Sequence, residues 1–123
     1  MCGIAGFKTD RPVPDGTLGA MLAALRHRGP DSEGRHVSGD YTGGMRRLAI
    51  NGLSTGDQPL FNEDKTVALL YNGEIYNSPE LRRQLEARGV RFRSGSDGEV
   101  ICHLYAIHGE ALFELLDGMY AAA

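Results

Sequence analysis

The chain has 123 residues, a formal net charge of −3 and an ordinary hydrophobic content without tryptophan. This fits one domain spanning 1–123 with a modest core, and it argues against a general nucleic-acid binder or a membrane-surface binder. The two cysteines, Cys2 and Cys102, lie far apart and form neither a CxxC pair nor a disulfide framework of the secreted kind. With no basic-then-apolar leader and no run of membrane-spanning length, a cytoplasmic setting is expected.

The first element is a short apolar strand, Ile4-Ala5-Gly6-Phe7, preceded by Cys2. If Met1 is removed, Cys2 carries both a thiol and a free α-amine. An amine titrating near ~8 can take the thiol proton, so the residue is a nucleophile with its own base. The competing reading is a buried strand cysteine. After Asp15, a fair N-cap, Leu18, Met21, Leu22 and Leu25 fall on one helical face. Arg28 to Gly34 reads as turn chemistry, and Tyr41 to Ile50 as a strand weakened at Gly43-Gly44. Thr66 to Tyr71 is the clearest strand, ended by Asn72-Gly73. Ser78-Pro79 opens a helix running to Arg88 with Gly89 as its stop, and Phe92 marks a short strand. A helix from Asp97 breaks near Gly109, a short helix follows through Leu112 to Leu116, and Met119 to Ala123 begins a last strand. Strands and helices without a strict βαβ rhythm predict an α+β fold.

Three polar clusters carry candidate chemistry. Arg26-His27-Arg28-Gly29-Pro30-Asp31 reads most simply as a basic helix end and a turn. Within Arg46-Arg47-Leu48-Ala49-Ile50, one arginine of the pair points inward and needs an anion. Asn72-Gly73 would ordinarily signal a hairpin, but a helix entry follows, so a side-chain amide beside a glycine N–H becomes a candidate pair of oxyanion donors. Asp97 reads as a helix N-cap, available to a cationic group only if a partner brings one. His27, His36, His103 and His108 have no metal-ligand spacing, so no metal site is expected.

Taken in order, Cys-Gly-Ile-Ala-Gly, Arg-His-Arg-Gly-Pro-Asp, Arg-Leu-Ala-Ile, Gln58-Pro59-Leu60, Asn-Gly-Glu-Ile-Tyr-Asn, Gly-Ser-Asp with Glu99-Val100-Ile101, and Leu116-Asp117-Gly118-Met119-Tyr120 span the whole chain. This series resembles the class II glutamine amidotransferase domain, most closely the N-terminal glutaminase domain of asparagine synthetases. The resemblance implies an N-terminal-nucleophile hydrolase fold, an αββα sandwich of antiparallel sheets, here stopping before its last strands. It makes Cys2 the nucleophile and Asn72 and Gly73 the oxyanion hole. Arg47 would take the glutamine α-carboxylate, Asp97 and Glu74 would receive the α-ammonium, and Ile50 and Asn51 would line the pocket. Arg28 matches a family arginine near the nucleophile. The implied activity is hydrolysis of L-glutamine to glutamate and ammonia. The implied partner is a synthetase domain or subunit, and self-association is left open. No cofactor is expected in this chain, since ATP and magnesium belong to the synthetase domain.

Several positions depart from that pattern: Asn51-Gly52 replaces an apolar-acidic pair, Gly98 replaces a larger residue, and Met45 stands where histidine is frequent. The stop at Ala123 favours a rival reading, a truncated copy that binds glutamine or a partner without catalysis.

Overall fold

The computed structural model describes residues 2–49 and 57–123. Strand β1 (Gly3–Lys8) lies beside β3 (Tyr41–Arg47), which also pairs with β2 (Ser32–Ser38), giving an antiparallel sheet in the order β1-β3-β2. The β2–β3 hairpin turns on Gly39-Asp40, with Ser38 opposite Tyr41 and Gly39 at φ 58°. Gly-Asp is a two-residue turn signal, so the assignment of Arg28 to Gly34 wholly to turns is corrected: β2 begins inside that segment. The strand predicted to reach Ile50 ends at Arg47, and Ile50 itself lies outside the described residues.

Helix α1 (Thr17–Ala24) buries Leu18 and Leu22 against this sheet. Its N-cap is Gly16, in the left-handed region at φ 84°, with no side-chain capping bond, so the expected Asp15 cap is also corrected. The Gly43-Gly44 pair of β3 is a packing device. A Cβ on Gly44 would stand 2.8 Å from Leu22 Cδ1, and one on Gly43 would stand 2.9 Å from Leu70 Cδ1. The sheet therefore has α1 close on one face and the segment around Leu70 close on the other.

Beyond that second face lie two more antiparallel pairs. β4 (Leu60–Phe61) pairs with β5 (Ala68–Leu69), and β6 (Tyr71–Ile75) pairs with β7 (Gly118–Ala122). The predicted strand Thr66 to Tyr71 is thus divided. At Leu70 the chain changes partner, since Leu70 exchanges both backbone hydrogen bonds with Ala123. Asn72-Gly73 consequently falls inside β6 instead of ending a strand. Helix α2 (Ser78–Ala87), entered through Pro79, and α3 (Glu99–His108) cover the far side, followed by a 3-10 helix (Gly109–Glu114). Leu69, Tyr71, Ile75, Leu81, Leu85, Val100, Leu104 and Leu112 belong to the resulting core. Phe92 is not in a strand. Its ring sits between the Arg82 guanidinium, 3.9 Å away, and the His103 ring, 4.7 Å away. The α+β expectation agrees with this mixture of helices and antiparallel pairs. No described helix is long and apolar enough to cross a membrane.

Candidate active site

The site begins where β1 starts. Cys2 precedes the first paired residue, Gly3, which faces Arg46 of β3, so the sheet fixes the cysteine beside the end of β3. Its sulfur lies between the backbone groups of Leu48, 3.4 Å from the N–H and 3.7 Å from the carbonyl. Leu48 is braced by Asp31, whose N–H donates to the Arg47 carbonyl (3.0 Å) and whose carboxylate accepts from the Ala49 N–H (2.8 Å). The Arg-His-Arg-Gly-Pro-Asp turn therefore shapes the backbone that touches the Cys2 sulfur. Reading it as a basic helix end did not find Asp31, although an Asp after Gly-Pro was a signal of turn bonding.

The Cys2 nitrogen donates to Asn72 Oδ1 at 3.0 Å. Only the amide oxygen can accept that bond, so the Asn72 Nδ2 hydrogens point elsewhere and remain for another acceptor. The β6–β7 ladder fixes its neighbour. Leu70 with Ala123 is a hydrogen-bonded pair, and the Tyr76 N–H donates to the Asp117 carbonyl. By the two-residue alternation of an antiparallel ladder, Tyr71, Gly73 and Ile75 turn their backbone groups away from β7. Two of these are held on that outer edge. Tyr71 is held by Gln58, and the Ile75 N–H donates to Asp97 Oδ2 at 2.8 Å. The Gly73 N–H lies between them. A side chain at Gly73 has no room, because a Cβ would stand 2.3 Å from the Met119 carbonyl oxygen.

Asp97 does not cap α3, whose N-cap is Gly98. Its Oδ2 instead accepts from both the Tyr71 hydroxyl (2.8 Å) and the Ile75 N–H, bracketing Asn72, Gly73 and Glu74. Burial, then the hydrogen bond and charge of Asp97, push the Tyr71 hydroxyl far above its ordinary 10.0, with Glu74 and Cys2 adding to the effect. Tyr71 is therefore a neutral donor to Asp97. Its ring also explains Gly98, where a Cβ would lie 2.6 Å from Tyr71 Cδ1.

Arg47 is the inward arginine, 5% exposed, and its guanidinium meets Asp57 Oδ1 at 3.0 Å. Asp57 also accepts from the Ser32 hydroxyl (3.1 Å), and Ser32 is the cross-strand partner of Arg47. Arg46 turns to the opposite face, to Glu33 and the Gly29 carbonyl. The structure thus brings Cys2 and Asn72 into contact, with Gly73 beside them. Arg47 and Asp97 reach this group through Asp57-Gln58 and Tyr71 instead of touching each other. Glu74 is exposed on the same side of β6 as Asn72, and Arg28 is exposed. Ile50 and Asn51 lie outside the described residues. Cys102 is fully buried in α3, and burial with the nearby Glu99 charge pushes its thiol up to about 12, so it stays a protonated core thiol.

The chain matches the glutamine amidotransferase domain family over residues 1–123. It is similar to two Arabidopsis thaliana proteins named asparagine synthetase [glutamine-hydrolyzing] 2 and 3, at 56% and 55% identity over 98% of this chain. It is also similar to the asparagine synthetase [glutamine-hydrolyzing] of Sandersonia aurantiaca, at 46% identity over 98% of this chain. It spans 21% of the length of each Arabidopsis relative and 23% of the Sandersonia one. With a family match along its whole length, this chain belongs to the glutamine amidotransferase domain family.

Proposed function

We propose that this chain hydrolyses the side-chain amide of L-glutamine, with Cys2 as nucleophile once Met1 has been removed. The observation that carries the reading is the 3.0 Å bond from the Cys2 nitrogen to Asn72 Oδ1, with the outward-facing Gly73 N–H on the adjoining peptide. A free amine in that place donates one N–H to Asn72 and keeps its lone pair for the thiol proton. Sulfur then attacks the glutamine amide carbon, and the carbonyl oxygen becomes an oxyanion received by Asn72 Nδ2 and the Gly73 N–H. Collapse breaks the C–N bond, and the amine returns its proton to the departing ammonia. Water, deprotonated by the same amine, cleaves the γ-glutamyl thioester and releases glutamate. Arg47 takes the substrate α-carboxylate as a planar fork, and Asp97 with Glu74 receives the α-ammonium.

The wider reading is an N-terminal-nucleophile hydrolase sandwich, supported by the helix-sheet-sheet-helix order around Gly43, Gly44 and Leu70. The ammonia would pass to an asparagine-synthetase-like domain or subunit, as the relatives' names suggest, in a cytoplasmic setting. The reaction derived for this chain uses no cofactor, and ATP and magnesium belong to that partner. Intact-mass measurement with a glutamine-analogue electrophile tests the proposal. The expected result is loss of Met1 and one covalent adduct, absent in Cys2→Ala. Retention of Met1 with no adduct would sink it, favouring a glutamine-binding or partner-binding copy.

A further inference from the structure

Gln58 belongs to the Gln-Pro-Leu motif, which the chemistry above leaves unused. Its Nε2 donates to the Tyr71 carbonyl at 2.7 Å, and its Oε1 accepts from the Tyr71 N–H at 2.6 Å. One primary amide therefore satisfies both backbone groups of a residue on the outer edge of β6, as a neighbouring strand would. Glutamate lacks the donor for this pairing, and a shorter amide lacks the reach. Gln58 is itself fixed, because its backbone carbonyl lies against β2, where a Cβ on Gly34 would stand 1.9 Å from it. Its neighbour Asp57 is tied to Ser32 and Arg47.

We propose that Gln58 is a positioning residue for the oxyanion donors: by clamping both backbone groups of Tyr71, it sets the peptide planes that aim Asn72 and the Gly73 N–H. This inference rests on the glutamine-hydrolysis reading. Asp97 pins the same edge at Ile75, so the Asn72-Gly73 stretch is held at both ends and open at its centre. Gly73 has no side chain with which to fix itself; the β7 ladder holds one edge of its strand, and these two anchors hold the other.

The test uses the ¹⁵N-labelled chain after Met1 removal, with Gln58→Met and Gln58→Glu. In Gln58→Met the Gly73 amide resonance should shift while that of Ile75 stays, and Tyr71 amide exchange should quicken by about tenfold or more. Glutamine turnover should lose about 10- to 100-fold in kcat with KM changed by less than about threefold, the pattern of misaimed transition-state donors. In Gln58→Glu, protonation restores one donor beside one acceptor, so the Gly73 resonance should return toward wild type as pH falls through the carboxyl range. An unmoved Gly73 resonance in Gln58→Met, or unchanged kcat, overturns the proposal. If Gln58→Met does not fold, a Gly73 resonance in Gln58→Glu that ignores pH overturns it equally. Absence of turnover in the wild-type chain refutes the hydrolysis reading, while the Gly73 and Tyr71 resonances still decide whether Gln58 aims the strand.

Discussion

A buried arginine needs an anion, and Arg47 has one in Asp57, a mostly exposed carboxylate. A substrate carboxylate arriving at this guanidinium would meet the planar fork already oriented by Asp57. Arg47→Lys should therefore raise the glutamine KM by about tenfold or more, roughly 1.4 kcal/mol, because a point charge cannot reproduce two parallel hydrogen bonds. Saturation kinetics beside a melting curve would separate this from unfolding, and an unchanged KM would remove Arg47 from substrate binding. At this scale the residue types were legible. Cys2 and the Asn72-Gly73 pair stood out because an early thiol and an Asn-Gly before a helix entry have few uses, whereas the choice of Arg47 over Arg46 and the role given to Asp97 came with the family resemblance. Asp31 and Gln58 were visible only as motif members without a role, and Asp57 not at all, because a polar residue in a turn looks the same whether it faces solvent or bonds a distant strand.

The decisive element is β6, whose ladder parity turns Tyr71, Gly73 and Ile75 outward while Tyr71 and Ile75 bury their side chains in the core. A run of apolar residues ending in Asn-Gly gives no sign of that parity, since the partner strand β7 comes later in the chain, after α2 and α3. The same applies to β3, where Gly43-Gly44 reads as a weakness until Leu22 and Leu70 are seen against it. Gly44→Ala should cost about 1–3 kcal/mol, because the new methyl meets Leu22 and the Gly34 carbonyl oxygen, each at 2.8 Å. Denaturant unfolding measures this directly. A cost near zero would mean that α1 can withdraw from the sheet. The amphipathic helices were legible because their 3.6-residue period is local, whereas β2 was hidden in a segment rich in turn residues.

Across the whole molecule, the position of Asp97 depends on a buried carboxylate at the start of α3. Glu99, 1% exposed, accepts from the Arg93 N–H and Ser94 N–H, both at 2.7 Å, and from the His103 ring. Arg82 donates to the Ser94 and Ser96 carbonyls from α2, so the loop leading to Asp97 is tied to both helices. Burial alone would raise the Glu99 carboxyl, but the hydrogen bonds from Ser94 and Arg93 outweigh it and hold the group below its ordinary 4.5. The folded state then binds this proton more weakly than the unfolded chain. Its contribution to stability is complete above about pH 4.5 and is lost as pH falls through the lower folded value. Glu99→Gln should flatten that acid dependence and cost about 1–3 kcal/mol at neutral pH, by leaving a buried N–H without its acceptor. Unfolding curves between pH 3 and 7, on the order of the carboxyl range, would check both statements. Wild-type and variant curves of equal slope would refute the role.

The sequence by itself determined the class of fold and the family and singled out a short list of candidate residues, because these depend on residue type, local period and ordered motifs. Tertiary structure alone decided that Asn72 meets Cys2, that the Gly73 N–H faces outward, that Asp97 serves β6 instead of capping α3, and that Gln58 completes the edge of that strand. Each of these depends on which strand pairs with which and in what register. Pairing is settled by the long-range burial of Leu22, Leu70, Tyr71 and their neighbours, a property that no local stretch of the chain contains.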